Sequence, residues 1–158
     1  MSKKNKIKNA FTIIEVMVAI TILIIAILGT SAFRYHTSLS ARRADLYTTS
    51  ARTALLLCEG WTGAGGDINF APVSTFEPYV NIVDSTGPTE PNDFNKLGSY
   101  KIRLEGSDYF ATMSWKNLNA DLRALNVVVS WDQFGNGISG FTNSSKSYRL
   151  TTYVENPN

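Results

Sequence analysis

Phe11-Thr-Ile-Ile-Glu15-Val-Met-Val-Ala-Ile20-Thr-Ile-Leu-Ile-Ile25-Ala-Ile-Leu-Gly-Thr30-Ser-Ala-Phe33 carries one charge in 23 positions, and its reading decides the fold. As a helix it would extend about 34 Å at roughly 1.5 Å per residue, enough to cross a hydrocarbon core about 30 Å thick. Its many β-branched residues would favour a strand in water. In lipid a lone strand leaves its backbone N–H and C=O groups without partners, so the stretch is predicted to be helical.

The flanks give it a direction. Residues 2–9, Ser-Lys-Lys-Asn-Lys-Ile-Lys-Asn, hold four lysines and no acid. Lysines before a membrane span predict a cytoplasmic N-terminus and an exported C-terminal part. Arg34, Arg42 and Arg43 on the far side weaken that bias without reversing it. Setting the four leader lysines aside lowers Lys plus Arg from 15 to 11 against 13 acids, a net charge of −2. The basicity therefore belongs to the leader, and the remainder lacks the basic stripe a nucleic-acid binder carries through its folded part.

Three readings compete for the apolar stretch. A secretory signal has an apolar core of roughly 7–15 residues before a small-residue cleavage site; this run is longer and contains an acid. A plain anchor fits the length but gives no reason for Glu15, since a carboxylate central to a spanning helix costs roughly 2.5–3.5 kcal/mol on insertion scales. The third reading explains the acid. Lys8-Asn-Ala10 followed by Phe11-Thr-Ile-Ile-Glu15-Val resembles the type III signal of type IV pilins and type II secretion pseudopilins.

That resemblance implies cleavage between Ala10 and Phe11 by a prepilin peptidase, N-methylation of Phe11, and retention of the apolar helix. It also implies that Glu15 serves assembly, pairing with the N-terminal amine of a neighbouring subunit. The implied partners are other pilins or pseudopilins, the peptidase and an assembly platform with its ATPase, all at the bacterial inner membrane. Two residues depart from the pattern. Ala10 stands where glycine is usual, which bears on how fast the leader is cut. Ala32 stands near the place where major pilins tend to have proline, so an unbroken helix is expected.

Beyond Phe33 the pattern becomes amphipathic: Leu46/Tyr47, Ser50/Ala51, Ala54/Leu55 and Cys58 recur at helical spacing, and Gly60 is expected to end the helix. Residues 60–98 are rich in turn formers and read as loop, with a short strand at Tyr79–Val83. Strand alternation follows at Ser99–Glu105 and Tyr109–Trp115 around a Gly106-Ser-Asp108 turn. It resumes at Leu125–Trp131 and, after a turn-rich stretch over Asp132–Gly140, at Tyr148–Val154. The expected fold is α+β: a pilin-like long N-terminal helix, half transmembrane, packed on a small antiparallel meander of three or four strands with one face buried. Its divisions are a leader at 1–10, a transmembrane part at 11–33, an amphipathic part at 34–59 and an extracytoplasmic loop and sheet head at 60–158. The stretch Asp121–Asp132 with Tyr148–Tyr153 is similar to the C-terminal hairpin of PilV-type minor pilins and I-type pseudopilins, which points to a minor subunit.

Chemistry-bearing residues are sparse. The single Cys58 excludes an internal disulfide and multi-cysteine zinc sites, and it reads as a small core residue. His36 is the lone histidine and no sequence constellation gives it a nucleophile. Asp84, Glu90 and Asp93 have no spacing that fits a calcium cage, and Gly63–Gly66 lack the Lys-Ser/Thr of a phosphate loop. No enzyme activity, cofactor, metal, nucleic acid or small-molecule substrate is expected. The expected function is that of a structural minor pilin or pseudopilin subunit of a type IV pilus or type II secretion filament. The alternative is a single-pass anchored protein whose exported β-domain acts as a binding or adhesion module.

Overall fold

The computed structural model describes residues 12–77, 79–132 and 146–156. The leader, Ala10, Phe11 and most of the Asp132–Gly140 turn lie outside the described residues. Helix α1 (Ile13–Gly63) runs without interruption, as expected of a stretch in which Ala32 replaces a helix breaker. The chain divides into two compact units, Met1–Arg42 and Arg43–Asn158, and α1 contributes to both.

In the first unit the helix surface is apolar and uncovered: Ile13 is 84% exposed and Phe33 72%. Here, among the described residues, is the one helix long and apolar enough to cross a membrane by length and composition. Its threonine hydroxyls are bonded locally. Thr21 donates to Met17 O at 2.8 Å, Thr30 to Ala26 O at 2.9 Å and Thr37 to Phe33 O at 2.9 Å. Such back-bonding removes the cost of an unpaired hydroxyl in an apolar medium.

In the second unit α1 packs through Leu46, Ser50, Thr53, Ala54, Leu57, Cys58 and Trp61. The expected stripe is thus rotated: Tyr47 and Leu55 are about half exposed, while Thr53, Leu57 and Trp61 face inward. The helix also passes Gly60, which serves as a packing notch for the Phe76 ring rather than as a stop. It ends three residues past Gly60, at Gly63. Gly65 and Gly66 at φ +70° and +72° provide the left-handed turn. The Gly66 N–H donates to Trp61 O and the Gly65 N–H to Thr62 O, both at 2.9 Å, the paired bonds of a Schellman motif.

After a short helix α2 (Pro72–Phe76) come β1 (Asn81–Asp84), β2 (Asn95–Leu104), β3 (Ser107–Asn117), β4 (Leu122–Trp131) and β5 (Lys146–Glu155). They form one antiparallel meander in chain order, five strands instead of three or four, because Asn81–Asp84 pairs fully with Tyr100–Arg103. The β2–β3 turn is Glu105-Gly106, tighter than the Gly106–Asp108 turn expected: Leu104 pairs with Ser107. Both central residues have positive φ, 49° and 78°, matching a type I′ hairpin whose twist suits the strands.

One sheet face meets α1. Trp61 and Leu57 share its core with Ile102, Met113, Leu125, Val127 and Val129, each at most 1% exposed. The opposite face is not solvated as expected, for Thr112, Ser114, Asn126, Val128 and Ser130 are also buried. Part of the reason lies in the segment between β1 and β2. A Cβ on Gly87 would stand 2.5 Å from Thr112 Oγ1 and 3.0 Å from Ala111 O, so its backbone lies directly on the sheet. Further along, Asp93 reaches Lys116 at 3.7 Å. Beneath this strap the polar residues pair with each other: Ser99 Oγ and Thr112 Oγ1 are 2.8 Å apart.

Candidate functional site

The described part of the N-terminal signal begins at Thr12, immediately before the first helical residue. Glu15 sits three residues on, where its Oε2 accepts the Thr12 N–H at 2.9 Å and the Thr12 hydroxyl at 3.0 Å. Thr-x-x-Glu with this backward bond is the acidic half of a capping box, which satisfies a helix N–H that has no partner within the helix. Ile14, Val18, Ala19 and Ile22 line the same helix face as Glu15. Glu15 is therefore a single exposed anion at the positive end of the helix, set in an apolar surface. Sequence reasoning assigned it an intermolecular partner and missed the cap, although the Thr12-x-x-Glu15 spacing signals it.

Residues 5–31 match the family model described as the prokaryotic N-terminal methylation motif, characteristic of pilin and pseudopilin precursors. The chain carries a prepilin-type signal. This prepilin-type signal spans Ala10 and Phe11, the proposed cleavage and methylation residues, and ends inside the apolar part of α1. No curated protein and no solved structure matches the chain.

The remaining candidates are scattered. His36 is exposed and packs edge-on to Tyr35 with ring centroids 5.8 Å apart. Among the described residues no three His, Cys, Asp or Glu side chains gather to hold a metal. Asp84 lies in β1 opposite Tyr100, and Asp93 is drawn to Lys116. Cys58 is 3% exposed, as a core residue should be. Burial pushes its thiol above the usual range, against a lowering hydrogen bond with Thr62 and with a further raising effect of Glu59. A thiol so placed stays protonated at neutral pH and lacks the thiolate needed for nucleophilic chemistry.

Sequence reasoning missed Arg123. It is 6% exposed, with the guanidinium carbon 4.9 Å from the centre of the Trp115 ring. Its Nε donates to Asn117 Oδ1 at 2.8 Å, Nη1 to Gly66 O at 2.7 Å and Nη2 to Asn156 Oδ1. One side chain thus ties the end of α1, the end of β3 and the C-terminal tail together.

Proposed function

We propose that this chain is a minor pilin or pseudopilin. It is made as a precursor in the bacterial inner membrane with its N-terminus cytoplasmic, cut between Ala10 and Phe11, methylated at Phe11 and drawn into a filament through α1. The observation that carries this reading is the methylation motif at residues 5–31. Two structural facts support it. The motif leads directly into an apolar helix that fits a single-pass anchor, and that helix continues into a folded α+β head.

On this reading Glu15 is the assembly residue, its charge exchanged between the Thr12 cap and a neighbouring subunit's N-terminal amine. Other pilins or pseudopilins, prepilin peptidase and an assembly platform are the partners. The head is periplasmic before assembly and exposed on a pilus or pseudopilus afterwards. Its role is structural rather than catalytic, and the β4–β5 hairpin favours a PilV-type or I-type minor subunit.

Fractionation tests the proposal. Filaments sheared from cells that also express the cognate major subunit are expected to contain the head domain, and to lose it when prepilin peptidase is inactive. A chain that remains wholly in the membrane fraction in both strains would instead support the anchored binding module.

A further inference from the structure

At one end of the β4–β5 pair the head carries a cleft of about 220 Å³ lined by Arg43, Tyr47, Trp131, Lys146 and Ser147. Its position follows from the fold. Trp131 and Lys146 are opposite each other in the β4–β5 register, while Arg43 and Tyr47 are one helical turn apart on α1. Tyr47 meets the edge of Trp131 with centroids 6.0 Å apart and that of Tyr148 at 5.6 Å. The aromatic rings therefore brace one another into a wall, and Tyr47 still leaves 52% of its surface open.

The charge at this cleft is unbalanced. Arg43 and Lys146 are exposed, and among the described residues neither side chain has an ion-pair or hydrogen-bond partner. Residues 133–145, which link the two strands, include no acid in their sequence. Asp45 and Asp132 are the carboxylates nearest in sequence to the lining residues. Neither lines the cleft, and Asp132 has an interaction of its own.

We propose that this cleft binds a phosphate-bearing anion. Arg43 and Lys146 supply the counter-charges, Ser147 a hydroxyl donor, and the Tyr47–Trp131 wall accommodates the apolar body to which the phosphate is attached. A phosphate presents three acceptor oxygens, which suits a guanidinium fork, an ammonium and a hydroxyl better than the two oxygens of a carboxylate do. The volume is below the roughly 300–1,000 Å³ of sites for drug-sized ligands, so it suits a headgroup-sized group. Cation and aromatic side chains together also suit the polar zone of a membrane. The phosphate could come from an anionic lipid headgroup or from a soluble phosphate ester, and the chemistry of recognition is the same.

The test uses the full chain in a nonionic detergent, with tryptophan fluorescence as the readout and Trp131→Phe to assign the signal. Inorganic phosphate is one probe. Bilayer discs of phosphatidylcholine, with and without phosphatidylglycerol, are the other. Saturable binding is expected to weaken about tenfold for each cation removed in Arg43→Gln and Lys146→Gln. Both substitutions are at exposed positions, and unchanged circular dichroism would show that the fold is intact. A response to inorganic phosphate alone identifies a soluble ester as the source; a response only to phosphatidylglycerol discs identifies the lipid. Absence of saturable binding to either probe, or undiminished binding by the double variant, would overturn the proposal.

Discussion

Glu15→Ala is expected to leave membrane insertion intact and to lower incorporation into filaments by about a hundredfold or more. Insertion should not suffer, because the substitution removes a charged carboxylate from an apolar helix, where a charge opposes insertion. Incorporation should suffer, because on the proposed reading Glu15 neutralises a neighbouring amine inside a packed helix bundle. Breaking a buried pair by deleting one partner costs on the order of 3–5 kcal/mol, and about 1.4 kcal/mol is a factor of ten.

The structure supplies a control for this experiment. The Glu15 carboxylate also caps its own helix through the Thr12 N–H, and glutamine can make that bond without the charge. Glu15→Gln should therefore fail at assembly as Ala does if the charge matters. If Gln assembles normally and Ala does not, the cap is the residue's whole contribution. The measurement is the ratio of filament-associated to membrane-bound chain for the three proteins.

Arg123→Met is expected to destabilise the head by about 3–5 kcal/mol. The side chain's volume and apolar stem are largely kept, so the loss is chiefly that of the guanidinium. Hydrogen bonds to a charged group are worth roughly 1.5–3 kcal/mol each, but the three here share one donor group and do not add in full. The acceptors left behind are Asn117 Oδ1, Gly66 O and Asn156 Oδ1. Asn156 is further tied to Ala120 O by its side chain and to Asp121 O by its backbone N–H, so freeing the tail also loosens the β3–β4 turn. In thermal unfolding of the full chain in detergent, followed by near-ultraviolet circular dichroism, the midpoint should fall by on the order of 10–20 °C. A fall of only a degree or two would mean that desolvating the unpaired cation costs nearly as much as its bonds return.

The two sites differ in how far they could be read from sequence. Glu15 stands out because an acid inside an apolar run has few explanations, and Thr12-x-x-Glu15 is a local pattern with a fixed spacing. Arg123 does not stand out: its acceptors are 6, 33 and 57 residues away, and such distances carry no local signal. The helix end shows the same division. Gly60 resembles a stop, yet only the approach of Phe76 explains why glycine is needed there, while the glycines that end the helix come five and six residues later.

Strand alternation placed β2, β3, β4 and β5 to within a few residues, because side chains alternate with a period of two whatever covers them. It could not show that the second face is covered. Ser99, Thr112 and Ser114 read as solvent-facing, but they are buried, and the strap over Ser99 and Thr112 depends on Gly87 lying flat against backbone 24 residues away. Polar residues were the correct choice for that face only in part; Ser99 and Thr112 pair with each other across the strands.

Intact-mass and N-terminal analysis of the chain from membranes, with and without active prepilin peptidase, tests the central claim most directly. The account predicts a mature chain that starts at N-methylated Phe11 and appears only when the peptidase is active. A chain that still carries Lys3–Lys8 with the peptidase active, or one that starts beyond Phe33, would contradict it.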